Sequence, residues 1–560
     1  MWYRLLLKIH LQHPVKMGLI YVFISVVIAI IVVVTGEKSG RPNIVFIIAD
    51  DLGWDDVSFH GSDQIQTPNI DLLAYSGVVL ERYYSHCLCT PSRAALLTGK
   101  FAHHLGMQGY PLTNGEDRGL PLTEKILPQY LKELGYSTHL VGKWHSGNSR
   151  KKYFPNERGF DSFFGHISGY IDYYEYVLEE TWDSGKVSGF ALYRNFTPAW
   201  DVEGYITDVY TEEAVSIIKN HDVTKPLFLN IAHNAPHSGN QASLMQAPPE
   251  DVRAMRHVEL PERRTLAAML KKLDESIGNI VEALLNKDML QNTIIAFVSD
   301  NGGMTTGDPD YSVNYGSNWP LRGFKMSPFE GGIRVVGLLW TPTLTHHLWK
   351  GRMHVVDWLP TLLKAAGADD IPDGIDGIDL WNQITTNADT SRNDIFEIDD
   401  YTGFAAIIAG DYKLVTANVS LSNSDYQGDD LRGVIGEAPP YEDTIRKSKM
   451  YSILEKIGKP FNMDNIDLRE KIRVDCKGRE RNSSTACYPL NGKVCLLNIK
   501  EDPCESTDLS ELYPDLVKEL TDRLKAEIES RVPRTAPVFR DPRAAPKLFN
   551  YTWTYFADYF

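Results

Sequence analysis

The chain reads as an α/β protein: a doubly wound, mostly parallel sheet followed by a smaller C-terminal α+β domain. Three observations predict this. Four β-branched apolar runs end abruptly in polar residues, helical patterns separate them, and the C-terminal part changes to short hairpin-like runs and one amphipathic helix. The four runs are Asn43–Asp51 (NIVFIIADD), Ser137–His145 (STHLVGKWH), Pro226–His237 (PLFLNIAHNAPH) and Thr293–Asn301 (TIIAFVSDN). Continuous apolar runs of this length suit strands covered on both faces. LTEKILPQYLKELG precedes the second run and ERRTLAAMLKKLDESIGNIVEALLNK the fourth. Such strand–helix alternation predicts parallel pairing. Ligands of these sheets bind beyond the carboxyl ends of the strands. The polar tips Asp50-Asp51, Lys143 and His145, His237, and Asp300-Asn301 are therefore expected at one edge.

The predicted organisation has three parts: residues 1–40 as a targeting segment and linker, 41–390 as the main domain, and 391–560 as the smaller one. In the last part, FAAIIAGDYKLVTA predicts two strands around a Gly410-Asp411 turn and VCLLNIKEDPCESTDLS predicts a second hairpin. YPDLVKELTDRLKAEIESRV predicts an amphipathic helix, and the polar stretch 421–482 suggests no element.

Composition and targeting bound the function. With 560 residues and 43% apolar content the chain can bury a large core. A net charge of −16, spread along the chain, argues against a nucleic-acid binder. Any anionic substrate must then be drawn in by a local positive site. Arg4, Lys8 and Lys16 precede Met17–Val34, eighteen residues without a charge. That length just spans a bilayer, and the basic flank predicts a cytoplasmic N-terminus with a lumenal or extracellular body. A cleaved signal and a retained anchor both fit, and either implies the secretory pathway, with a lysosomal or extracellular destination. Four of the six cysteines, Cys476, Cys487, Cys495 and Cys504, lie within twenty-nine residues. In an exported protein they predict disulfides. Of three possible pairings, Cys495–Cys504 is expected as a short hairpin staple, leaving Cys476–Cys487. Glycosylation sequons occur at Asn195, Asn418, Asn482 and Asn550.

The strand tips suggest chemistry. Adjacent carboxylates in an apolar setting repel unless a cation holds them. Asp50, Asp51, Asp300 and Asn301 form an oxygen-only set, suited to calcium or magnesium rather than zinc. Taken singly, such pairs are ordinary turn and cap residues; their coincidence at predicted strand tips points to a metal. Lys143 and His145, one residue apart, share a face of an extended segment. With Arg93, His237 and Lys325 they would make a pocket for a small multi-oxygen anion. In CLCTPSRAALLTG, Cys87 and Cys89 are too close for an ordinary disulfide and match no zinc spacing. Pro91 suits a first helical turn, which puts Cys89 at a helix N-terminus, where an anion is favoured.

CTPSRAALLTG, complete at Cys89, Pro91, Ser92, Arg93, Leu97, Thr98 and Gly99, resembles the signature of the type I sulfatases. These are the formylglycine-dependent branch of the alkaline-phosphatase-like superfamily. The resemblance runs from RPNIVFIIADDLGW through VGKWHSG, SDNGG, NWPLRGFK and EGGIR to CLLNIKEDPCESTDLSELYP. In order and spacing it is most similar to arylsulfatase B, an N-acetylgalactosamine-4-sulfatase, and its animal relatives. It implies that Cys89 is oxidised to formylglycine by the formylglycine-generating enzyme in the endoplasmic reticulum. It also implies that Asp50, Asp51, Asp300 and Asn301, with the modified Cys89, hold one calcium ion. Arg93 and Lys143 would hold the aldehyde hydrate and sulfate, and His145 would act as a base in releasing sulfate. His237 and Lys325 would bind sulfate and assist the leaving oxygen. His233 competes with His237 within AHNAPHSG; His237 is preferred because it lies ten positions after Leu227, well past the strand end. One hydroxyl of the hydrate would attack sulfur, and the second would lose its proton to reform the carbonyl and expel sulfate. The implied activity is hydrolysis of sulfate esters, on sulfated sugars such as GalNAc-4-sulfate or on small non-carbohydrate esters. A phosphoryl or phosphonate ester hydrolase, or a non-catalytic binding protein on the same fold, is opposed by the complete motif and the filled ligand positions. Cys87 is assigned no role.

Overall fold

The computed structural model describes residues 40–305, 313–418, 427–428, 438–476, 487–490, 492–534 and 539–560. The apolar segment 17–34, Asn482 and parts of the stretch 421–482 lie outside the described residues. Among the described residues no helix is long and apolar enough to cross a membrane.

The strands in chain order are β1 (Asn43–Ala49), β2 (Val78–Tyr84), β3 (Ser137–Gly142), β4 (Ser162–His166), β5 (Val177–Trp182), β6 (Gly185–Phe190), β7 (Leu192–Arg194) and β8 (Thr197–Pro198). There follow β9 (Leu227–Ala232), β10 (Thr293–Ser299), β11 (Gly337–Trp340), β12 (His347–His354), β13 (Asp394–Asp399), β14 (Phe404–Ala409), β15 (Tyr412–Ala417) and β16 (Val494–Asn498). A ten-stranded sheet has the order β12-β2-β11-β10-β1-β9-β3-β4-β7-β8. The four apolar runs of the sequence form its centre, β10-β1-β9-β3, all parallel. Every residue of β1, β9 and β10 is buried, which is why these runs show no polar alternation. The register levels their ends: Ala49 lies opposite Ser299, and Ala232 lies opposite both Ile48 and Gly142. The residues that follow therefore emerge together at one edge. β11 runs antiparallel to β10 and β2, and β7 antiparallel to β4, so the sheet is mixed toward its flanks.

Helices cover the sheet. The Pro261–Asn286 helix buries Leu266, Leu270, Leu273, Ile277, Ile280 and Leu284, an i, i+3/i+4 stripe facing the core. The Leu127–Glu133 helix precedes β3 as predicted. Within the polar stretch, the Tyr441–Lys447 and Lys449–Lys456 helices send Ile445, Met450, Ile453 and Leu454 into the main core.

A second sheet, β13-β14-β15-β16, is antiparallel throughout. The hairpin around Gly410-Asp411 forms β14 and β15. The Pro514–Ser530 helix packs Leu520 and Leu524 against Ile398, Ile407, Leu414 and Leu496 of this sheet. The second expected hairpin is corrected: VCLLNIKEDPCESTDLS supplies β16 but no return strand. Asp502 Oδ2 accepts the backbone N–H groups of Ser506 and Thr507, both at 2.9 Å, and turns the chain out of the sheet.

The disulfide pairing is corrected as well. Cys476 bonds Cys504, and Cys487 bonds Cys495, each with Cα atoms 5.7 Å apart. Cys495 lies in β16 opposite Val415 and joins Cys487 in a core with Ile408 and Leu497. Cys504 follows the turn and faces a different cluster, with Trp54, Leu321 and Val474 beside Cys476. The two cysteines expected to pair thus serve different cores. Of the sequon asparagines, Asn418 and Asn550 are exposed. Asn195 is half-buried, and its Oδ1 accepts from Phe163 N at 3.0 Å and Asn156 Nδ2 at 2.9 Å.

Candidate active site

At the carboxyl edge of β10-β1-β9-β3, the chain makes unusual turns that aim side chains into one space. Asp51 and His145 adopt left-handed backbone, φ +62° and +50°, a region uncommon for non-glycine residues. Gly142, φ +105°, ends β3, and a Cβ there would collide with the Ala232 carbonyl. Glycine is needed to carry Lys143 across to its partner.

Three carboxylates meet three cations. Lys143 Nζ donates to Asp50 Oδ2 at 2.7 Å, both side chains fully buried. Arg93 donates to Asp300 Oδ2 from Nε at 3.1 Å and from Nη2 at 2.8 Å, and its Nη2 lies 3.7 Å from Asp50 Oδ1. Lys325 Nζ sits 2.7 Å from Asp51 Oδ1 and 2.8 Å from its Oδ2. Asn301 Nδ2 donates to Asp51 Oδ1 at 2.7 Å. Asp50 Oδ1 and Asn301 Oδ1 are buried without a hydrogen-bond partner. Burial, with Asp300 and Asp51 adjacent, pushes Asp50 up to about 8 despite Lys143 and Arg93. Burial also opposes the charge of Asp51, but the ammonium groups of Lys325 and Lys143 outweigh it and hold that carboxyl at about 2. Two orphaned oxygens among crowded carboxylates fit a hard divalent cation. Asp50, Asp51 and His237 already bring one ligand atom each within 4.8 Å of one another.

Cys89 begins the Cys89–Thr98 helix and is buried at the cavity floor. Burial raises its thiol, against Lys143 and Lys325, so a bare thiol here is a weak nucleophile at neutral pH. Ser92 Oγ donates to Leu88 O at 2.9 Å and Ser85 Oγ to Asp300 O at 2.7 Å, locking the helix start to the end of β10. Cys87 forms no disulfide; its thiol donates to Glu397 Oε1 at 3.3 Å, while His86 Nδ1 lies 2.7 Å from Glu397 Oε2. β13 thereby anchors the segment that precedes Cys89.

The two histidines are neutral. His145 Nε2–H donates to Leu112 O at 2.8 Å, leaving the buried Nδ1 lone pair without a partner. Burial and Lys143 push its imidazole well down. His237 Nδ1–H donates to Ser238 O at 2.7 Å, so Nε2 can accept from Lys325 Nζ at 3.3 Å. Burial lowers His237 to about 3 even though Asp51 opposes it. The structure places His237, and not His233, in this group: His233 Nε2 faces Ser276 Oγ at 3.2 Å. All the site residues named from the sequence gather here.

A cavity of about 360 Å³ opens above Cys89, His145, His237 and Lys325. Its walls include Tyr110, Tyr170, Glu179, Glu180, Gln241 and Arg540, none of them singled out in the sequence. Glu179 and Glu180 sit on β5, and the others come from loops and from the chain's last segment, with no periodicity to mark them. Tyr170 stacks on His237 with ring centroids 5.6 Å apart.

A mostly parallel sheet with balanced charges and neutral histidines at its carboxyl edge has the arrangement of a hydrolase for small oxyanion esters. The chain belongs to the sulfatase family, whose model matches residues 42–368, and it hydrolyses sulfate esters. Arylsulfatase J of Mus musculus is 37% identical over 540 residues, covering 92% of this chain and 80% of that protein. N-acetylgalactosamine-6-sulfatase of Homo sapiens is 31% identical over 371 residues, 60% of this chain and 65% of that one. Among solved structures, Ps i-CgsB in complex with k-i-k-neocarrahexaose superposes with a TM-score of 0.68 at 26% identity, covering 91% of this chain and 97% of that one.

Proposed function

We propose that the protein removes sulfate from a sulfated sugar of the GalNAc-4-sulfate type, in the secretory pathway, with Cys89 converted to formylglycine beside one calcium ion. The observation that carries this reading is the convergence of Cys89, three cations, three carboxylates and two neutral histidines at the carboxyl edge of the central strands, with Cys89, His145, His237 and Lys325 lining the cavity. Asp50, Asp51, Asp300 and Asn301 would hold the calcium, which would polarise the sulfate oxygens. As formylglycine hydrate, Cys89 would supply the attacking oxygen and, through its second hydroxyl, a route for sulfate release.

The chain's own residues do the rest. With Asp50 ionised as a ligand, Arg93, Lys143 and Lys325 balance the three carboxylates, so the divalent cation would make the floor net positive and attractive to sulfate. Lys325 and His237, in hydrogen-bond reach of each other, stand where the ester oxygen leaves. His145 Nδ1 is free to take a proton from the residue-89 hydroxyl. The aromatic and polar walls of Tyr110, Tyr170, Glu179, Gln241 and Arg540 suit a sugar. A relative named N-acetylgalactosamine-6-sulfatase and a solved relative in complex with k-i-k-neocarrahexaose support that class. Residues 17–34 would direct the chain into the secretory pathway, where the modifying enzyme acts.

Mass spectrometry of the Cys89 peptide, from protein made in a secretory host, tests the mechanism: an aldehyde is expected, and a thiol throughout would overturn it. A panel of GalNAc-4-sulfate, GalNAc-6-sulfate and aryl sulfate tests the substrate, and equal kcat/KM on all three would remove the sugar assignment.

A further inference from the structure

A second group of ligand-type side chains lies where the Pro514–Ser530 helix of the C-terminal sheet meets the main domain. His103 and His104 sit on the 3-10 turn Ala102–His104, just beyond the Cys89–Thr98 helix. Glu527 projects from the last turn of the Pro514–Ser530 helix. His103 Nε2 lies 2.9 Å and His104 Nε2 3.3 Å from Glu527 Oε1. We propose that His103, His104 and Glu527 bind a zinc ion that clamps the C-terminal helix to the main domain.

The spacing is that of zinc ligands. Two donors each 2.0–2.1 Å from a tetrahedral ion stand about 3.3 Å apart, and the three ligand atoms here all lie within 4.8 Å of one another. A second, independent feature points the same way. His104 Nδ1–H donates to Asp376 Oδ2 at 2.8 Å, which turns Nε2 toward Glu527. Asp376 is itself fixed, accepting Phe101 N–H at 2.7 Å. A carboxylate behind a ligating histidine is the usual outer shell of a zinc site. His103 is fully buried and its Nδ1 has no partner, so no competing bond holds that ring. Without an ion, His103 Nε2–H donates to Glu527 Oε1 at 2.9 Å, while His104 Nε2 faces both Glu527 Oε1 at 3.3 Å and Ser530 Oγ at 3.1 Å.

The chemistry selects the metal. Two imidazole nitrogens and one carboxylate suit zinc, whereas calcium takes oxygen, so this site differs in kind from the carboxylate set beside Cys89. The nearby Lys100 is paired with Glu124 at 2.8 Å and does not compete. His104 and Glu527 retain 25% and 21% side-chain exposure, enough for ion entry and a water ligand. Ser530 Oγ, 3.1 Å from His104 Nε2, borders the open position. Val532 N–H donates to His103 O at 2.8 Å, so the same junction is joined through the backbone.

The test uses the full chain, stripped with chelator and resupplied with calcium. Isothermal titration should show one zinc per chain, and saturating zinc should raise Tm. His104→Ala and Glu527→Gln should each weaken zinc at least tenfold with aryl sulfatase activity retained. Asp376→Asn should weaken it about 10–100-fold. Cobalt should give the visible bands of a four-coordinate site in the wild type and lose them in Glu527→Gln, an isosteric change at a partly exposed residue that threatens folding least. No stoichiometric zinc in the wild type, or undiminished binding by Glu527→Gln, overturns the proposal.

Discussion

Cys89 illustrates how one residue's chemistry is decided by its neighbours. As a buried thiol it is a poor nucleophile, and the charges around it serve an oxygen nucleophile and an anion better. Cys89→Ala is therefore expected to lower aryl sulfate turnover by roughly 10⁴-fold, with a thermal melt close to wild type; retention of activity would remove the nucleophile assignment. Asp50 gives a pH prediction. With its carboxyl at about 8 it is mostly protonated at pH 7 when no ion is bound, while a metal ligand must be ionised. Calcium uptake should then release close to one proton at pH 7 and tighten as pH rises toward 8. Titration in buffers of different ionisation enthalpy reads that proton; no release would mean that Asp50 is already charged.

At the scale of elements, parallel strands place the site and ionic contacts fix the smaller sheet to it. Lys413 of β15 is fully buried between Glu330 Oε1 at 2.6 Å and Glu505 Oε1 at 2.8 Å. Removing one member of such a group leaves uncompensated buried charge. Lys413→Met is expected to destabilise by about 3–5 kcal/mol in urea unfolding; a loss under about 1 kcal/mol would show that this ionic group does not hold the smaller sheet in place. The central strands were legible in the sequence because both faces are covered. β2 (VVLERYY) and β12 (HLWKGRMH) carry polar residues toward the sheet edge and do not stand out. The expected return strand after β16 failed because Asp502 captures local amides, a turn whose partners are sequence neighbours but whose effect is to leave the sheet.

Across the whole molecule the disulfides join distinct cores. Cys476–Cys504 closes a loop of 28 residues and Cys487–Cys495 one of 8. The chain-entropy relation gives about 3.6 and about 2.5 kcal/mol respectively. Cys504→Ser should therefore cost more stability than Cys495→Ser in denaturant melts. Non-reducing peptide maps should contain these two linkages, and a Cys495–Cys504 peptide would contradict them.

By itself the sequence determined the parallel core, the level of its polar tips and the residues gathered there. Those features follow from local pattern and from a motif of eleven residues, and parallel register then aligns the strand ends without further information. Tertiary structure alone decided which cysteines pair and which walls enclose the cavity. It alone brought His103 and His104 to Glu527, more than four hundred residues away. These depend on which surfaces of distant segments come to be buried together, and packing of that kind leaves no periodic trace in the chain.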